Sequence, residues 1–199
     1  MNQKTKTLTG LALFTAIVVV LQFVGGFISS LLPVGISLVL VPIVVGAAVY
    51  GPGAGAYLGA VFGVVVLICS ATGVDKGGVV LWMAQPFLTA IICVGKSTVA
   101  GWAAGLIYRA MSHKNRTVGT VLAAIACPVI NTGLFCICLA MFFQDILVSW
   151  AGGSNVVYYV LFGLAGVNFL VELAINLVLC PIIVRVIGAR LGGTTPVSA

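Results

Sequence analysis

Uncharged apolar runs of membrane-crossing length recur along this chain: residues 8–28, 36–51, 54–70 and 117–143 contain no Lys, Arg, Asp or Glu. A helix needs about 20 apolar residues to cross the hydrocarbon core, and in lipid only helices and closed barrels satisfy every backbone N–H and C=O. Charge is too scarce for a water-facing alternative. Only 6% of residues are charged and 62% are hydrophobic, against roughly 25% charged in a soluble domain. The predicted fold class is therefore all-α integral membrane, with residues 1–199 forming a single transmembrane domain and no separate soluble domain.

Apolar runs set against loop signals predict a six-helix bundle, with spans at about 8–28, 36–51, 54–70, 86–110, 117–143 and 157–187. The first run is long for a signal peptide and lacks a small-residue cleavage site before a hydrophilic chain, so it is expected to be a retained helix. "GPGAG" is so short that the second and third spans must form a tight hairpin. Placing the N-terminus inside collects Lys4, Lys6, Arg109, Lys114, Arg116, Arg185 and Arg190 on the cytoplasmic side and leaves Lys76 outside. Both termini are then cytoplasmic, while Asp75 and Asp145 lie in outer loops. Trp82, Trp150, Tyr158 and Tyr159 fall near the outer interface, either as an aromatic belt or as the cover of a pocket.

The net charge of +6 is spread over helix ends and forms no stripe with interleaved aromatics, so no nucleic-acid partner is expected. The six cysteines all lie in apolar segments, without a Cys-x-x-Cys pair, and the single histidine, His113, sits in the basic loop "MSHKNR". No disulfide framework, metal site or cofactor is indicated. No Gly-x-Ser-x-Gly or His-Glu-x-x-His stretch occurs, so the chain is not expected to be an enzyme.

Two charges interrupt the membrane runs. Lys96 lies 13 residues before Arg109, and Glu172 lies 13 before Arg185, which puts both about 20 Å above the inner boundary at 1.5 Å per residue. Asn131 and Thr132, in "CPVINTG" on the antiparallel fifth span, reach nearly the same level. Asn168 and Asn176 lie one turn either side of Glu172 and give the last span a polar stripe. A charge at the bilayer centre costs about 2.5–3.5 kcal/mol even on lenient scales, so these groups should face one another across the fourth, fifth and sixth spans. One reading is a buried Lys96–Glu172 pair that orders the bundle. The other is a substrate pocket reached from outside, in which Lys96 meets a carboxylate and the asparagines meet hydroxyls or amides. Trp82 and Gln85, at the outer start of the fourth span, complete the candidate ligand set.

The first span carries "ALFTA", whose Ala12 and Ala16 share one face and allow close helix approach. This motif, with "SLVLVPIVVGAAVYGPGAGAYLGAVFG", "GKSTVAGWAAGLIYR" and "CPVINTGLF" in that order, resembles the substrate-binding S components of energy-coupling factor (ECF) vitamin transporters, over most of the chain. The resemblance implies capture of a vitamin or related micronutrient at the outer face of a bacterial cell membrane. It further implies a membrane T component docked at Ala12 and Ala16, and two cytoplasmic ATPase subunits that drive release. The chain itself carries no Walker loop, since "VGKST" lacks the leading glycine. A hydroxylated carboxylate such as pantothenate suits Lys96 with Asn131 and Asn168, whereas riboflavin needs a larger aromatic pocket. The alternative is a self-sufficient ion-coupled carrier with Lys96 and Glu172 as a relay, although such carriers commonly show broken helices in both halves, and here polarity is confined to the second.

Overall fold

The structure, a computed structural model, describes residues 3–31 and 38–190, and all of its described regular elements are helical. They are α1 (Gln3–Leu31), α2 (Leu40–Tyr50), α3 (Pro52–Thr72), α4 (Lys76–Ala84), α5 (Pro86–Ser112), α6 (Arg116–Phe142), α7 (Gln144–Ala151), α8 (Val156–Tyr158) and α9 (Val167–Arg190), with a π-helical segment at Tyr159–Gly166 between the last two. Among the described residues, α1, α3, α5, α6 and α9 are long and apolar enough to cross a membrane, and α2 is a shorter apolar helix. The expected start of the second span at residue 36, and residues 32–35 of the connection before it, lie outside the described residues.

The boundaries obey local chemistry. Gly51, at φ 94°, is the sole residue between α2 and α3, and Pro52 opens α3. The left-handed region that Gly51 occupies is open to glycine at no steric cost, and proline suits a first helical turn because its missing N–H has no helical partner there. Asn115 caps α6 by accepting from the N–H groups of Thr117 and Val118. Two stretches expected as plain connections contain helices instead. Gly73, at φ 81°, ends α3, and Asp75 caps α4 through the Gly77 N–H at 3.2 Å. The segment after α6 folds as α7, and the final span is entered through the π-helical segment rather than by one continuous helix.

Van der Waals contact, not the hydrophobic effect, holds apolar helices together in lipid, so closeness of backbones matters most. The tightest seam joins α3 to α5. Gly55, Gly59 and Gly63 recur every four residues on one face of α3 and lie against Gly101, Ser97 and Cys93 of the antiparallel α5. A Cβ on Gly59 would strike the Ser97 carbonyl oxygen, and one on Gly55 the Gly101 carbonyl oxygen. No residue but glycine fits this seam without moving a helix. α2 is the central element, buried from Leu40 to Ala47, and packs with α3, α5, α6 and α9 around Ile43, Val44, Leu58, Ala100, Ala123 and Cys180. α1 is peripheral: 6% of its apolar window is buried against 50% for α3. It rests on the rest of the bundle through Phe14 and Tyr50, whose rings meet edge to face at 6.1 Å. Ala12 and Ala16 are both exposed on it.

Candidate functional site

α4 and α7 lie at the end of the bundle where α3 enters α4 and α6 enters α7, and their inner faces share a small apolar cluster with α5 and α6. Leu81, Ile92, Leu139 and Phe143 are buried there, with Phe135 and Trp150 against them. Thr89 ties α4 to α5: its hydroxyl is 2.9 Å from both the Leu81 and Gln85 carbonyl oxygens. Each of those carbonyls also accepts a backbone N–H, so Thr89→Val should cost only about 1 kcal/mol, the net worth of one hydrogen bond. The expected signature is a small fall in thermal stability together with faster amide exchange confined to α4. Uniform exchange across the bundle would count against this local role.

Beneath this cluster lies a cavity of about 290 Å³, lined by residues of α3, α4, α5, α6, α7 and α9. Lys96 enters it about 15 Å along α5 from Pro86, with its ammonium 4.6 Å from the centroid of the Phe135 ring. The ring's negative face partly replaces water around the cation. Asn168, in the first turn of α9 just after the π-helical segment, also lines the cavity, as do Ser70, Asp75, Thr89, Cys93 and Trp150. The extra residue per turn in a π-helix rotates the helix beyond it, which sets the direction in which α9 presents Asn168. Glu172 and, more weakly, Asp75 act electrostatically on Lys96.

Of the residues singled out in the sequence, Lys96 and Asn168 therefore share the cavity wall. Asn131 is buried on α6, where its Oδ1 accepts from the Ser97 hydroxyl at 3.3 Å and joins α6 to α5. Asn176 is fully buried, with its amide donating to the Glu172 carbonyl at 2.8 Å and its Oδ1 accepting from the Cys180 thiol at 3.5 Å. Thr132, Glu172 and Trp82 are half-buried, and Gln85 is exposed at the junction of α4 and α5; these four and the two asparagines lie outside the cavity lining. The lining adds Ser70, Thr89 and Phe135, which carry no charge and no unusual spacing in the sequence, and Asp75, whose signal was its place as the helix start "VDKGG".

A cavity of this kind, apolar over much of its wall with a few converging polar groups, is what a small-molecule site requires. An anionic group of a ligand can meet Lys96, and Asn168 can donate and accept beside it. Comparison with known proteins points the same way: a family model described as "ECF transporter, substrate-specific component" matches residues 6–184. No curated protein and no solved structure gives a significant match.

Proposed function

From the premise that this chain belongs to the ECF transporter substrate-specific components, we propose that it captures a vitamin or related micronutrient, with the carboxylate-bearing pantothenate the best fit and riboflavin, which has no carboxylate, next. The observation that carries this reading is a cation, Lys96, held at membrane depth on the wall of a cavity rather than at a helix end. A charge placed there costs several kcal/mol unless a counter-charge arrives, and a ligand carboxylate supplies one. Asn168 reads the neighbouring amide or hydroxyl. Asn131, Thr132, Glu172 and Asn176 form the polar layer behind the cavity, and Trp82 and Gln85 stand near its outer rim.

In this reading the described spans are completed by α2 to give six crossings, with both termini cytoplasmic in a bacterial membrane. The exposed face of α1, bearing Ala12 and Ala16, receives a membrane T component, and two cytoplasmic ATPases supply the energy. Helix α1, with little of its surface buried within the chain, is the element most available for such a contact, because small side chains admit a second backbone closely.

The test is made on the purified protein alone. Native mass spectrometry should find one vitamin per chain, and vesicles containing only this chain should bind pantothenate yet accumulate almost none. Accumulation driven by an ion gradient without ATPases would overturn the reading in favour of a self-sufficient carrier.

A further inference from the structure

The cavity wall carries opposite charges on different elements, Lys96 midway along α5 and Asp75 at the start of α4, and from this we infer that Asp75 selects ligands that carry hydrogen-bond donors, hydroxyl or ammonium, remote from their anionic group. This rests on the reading of Lys96 as the carboxylate site.

Among the described residues lining the cavity, Lys96 is the one cation and Asp75 the one anion. Asp75 is exposed, at the start of α4. One carboxylate oxygen, Oδ1, accepts the Gly77 N–H, which fixes the side chain as the helix cap. The other, Oδ2, lies beside Gly78, near the Ser70 hydroxyl. A Cβ at Gly78 would occupy the space between Ser70 Oγ and Asp75 Oδ2, so the glycine keeps that part of the wall bare. Gly77 and Gly78 both line the cavity.

The two hydroxyls on the same wall extend this one-sided chemistry. A serine or threonine hydroxyl has a single O–H to give and two lone pairs to accept with. Ser70 gives its O–H to the Val66 carbonyl at 3.0 Å, and Thr89 gives its own to Leu81 and Gln85. Neither hydroxyl has an O–H left to donate into the cavity, and both are buried, so the acceptor a ligand meets on this wall is the exposed Asp75 carboxylate. A ligand group that only accepts, such as a second carboxylate or a ring nitrogen, meets repulsion and lost hydration there. A hydroxyl or an ammonium finds a charged acceptor, and hydrogen bonds to ionised groups are about twice as strong as neutral ones. Lys96, a donor without acceptor capacity, imposes the opposite demand on its own part of the wall. Ligand orientation is thereby fixed, because reversing a molecule with an anion at one end and donors at the other mismatches both ends.

The experiment measures dissociation constants by calorimetry for the wild type, Asp75→Asn and Lys96→Ala. The probes are pantothenate (anion and two hydroxyls), panthenol (the same hydroxyls, no anion), nicotinate (anion, no donor) and 5-aminovalerate (anion and ammonium). Asparagine keeps the capping oxygen for Gly77, so helix α4 is retained while the charge is removed. The expected result is that Asp75→Asn weakens pantothenate by about tenfold or more, the scale of one hydrogen bond to a charged group, and weakens panthenol by the same factor. Lys96→Ala should weaken pantothenate but leave panthenol nearly unchanged. Tighter binding of 5-aminovalerate than of pantothenate, lost in Asp75→Asn, would equally support the inference and identify ammonium as the donor. If Asp75→Asn binds pantothenate within twofold of the wild type while Lys96→Ala does not, the role of Asp75 is overturned and the carboxylate site stands. Wild-type preference for nicotinate would overturn it as well. If the wild type binds none of the four and carries no vitamin on purification, the proposed function fails with it.

Discussion

Lys96→Ala should weaken ligand binding by roughly 30-fold to several thousand-fold, the equivalent of about 2–5 kcal/mol for removing one partner of a buried charge pair. The side chain sits on the cavity wall over the Phe135 ring, where truncation removes the cation without touching the α3–α5 seam. The same variant separates a binding role from a purely structural one. If Lys96 served only to neutralise Glu172, its loss would leave an uncompensated acid, and adding Glu172→Gln would restore both stability and binding. With a ligand-binding lysine, the double variant should regain thermal stability but not affinity. Recovery of wild-type affinity in the double variant, measured by calorimetry, would sink the site assignment.

The second large effect is on stability. Gly59→Ala places a methyl against the Ser97 carbonyl, a backbone atom that cannot swing aside as a side chain can. Overpacking of this kind costs about 1–3 kcal/mol and at times more, and here it also forces α3 from α5, which carries Cys93 and Lys96. Gly133→Ala is the matched control, since a Cβ on Gly133 meets nothing within 4 Å. Alanine is there the better helix former by about 1 kcal/mol, so stability should hold or rise. The two variants should part clearly in thermal unfolding in detergent. Equal melting temperatures would mean that the glycine seam is not the structural centre of the bundle.

Much of the architecture was legible because membrane solvent leaves few options. The apolar runs located the long helices, charged Lys96 and Glu172 notwithstanding, and "GPGAG" required a hairpin, which the single linking residue Gly51 provides. The helix at Lys76–Ala84 is masked in the sequence by the two glycines just past its cap, although Asp75 is an N-cap residue in a position to start a helix. In the candidate site, Lys96 stood out by the energetic cost of its charge. The depth count that groups it with Glu172, Asn131 and Thr132, and the one-turn spacing that adds Asn176, measure height along the helices and not rotation about them. Each residue turns a helix by about 100°, so groups at one level can face different neighbours. Asn131 faces Ser97, and Asn176 bonds back along its own helix. Ser70, Thr89 and Phe135 could not be read from spacing, because their convergence depends on how three helices, α3, α5 and α6, are rotated against one another.

The glycine seam also sets a schedule for making the protein. Ser97, the seat of Gly59, lies 38 residues further along the chain. At ordinary translation rates of about 5–20 residues per second, α3 therefore waits on the order of seconds for the helix it is shaped to receive. During that interval its bare glycine face must be covered by acyl chains or by the insertion machinery, and the first stable core of this protein can form only once the ribosome has passed Gly101.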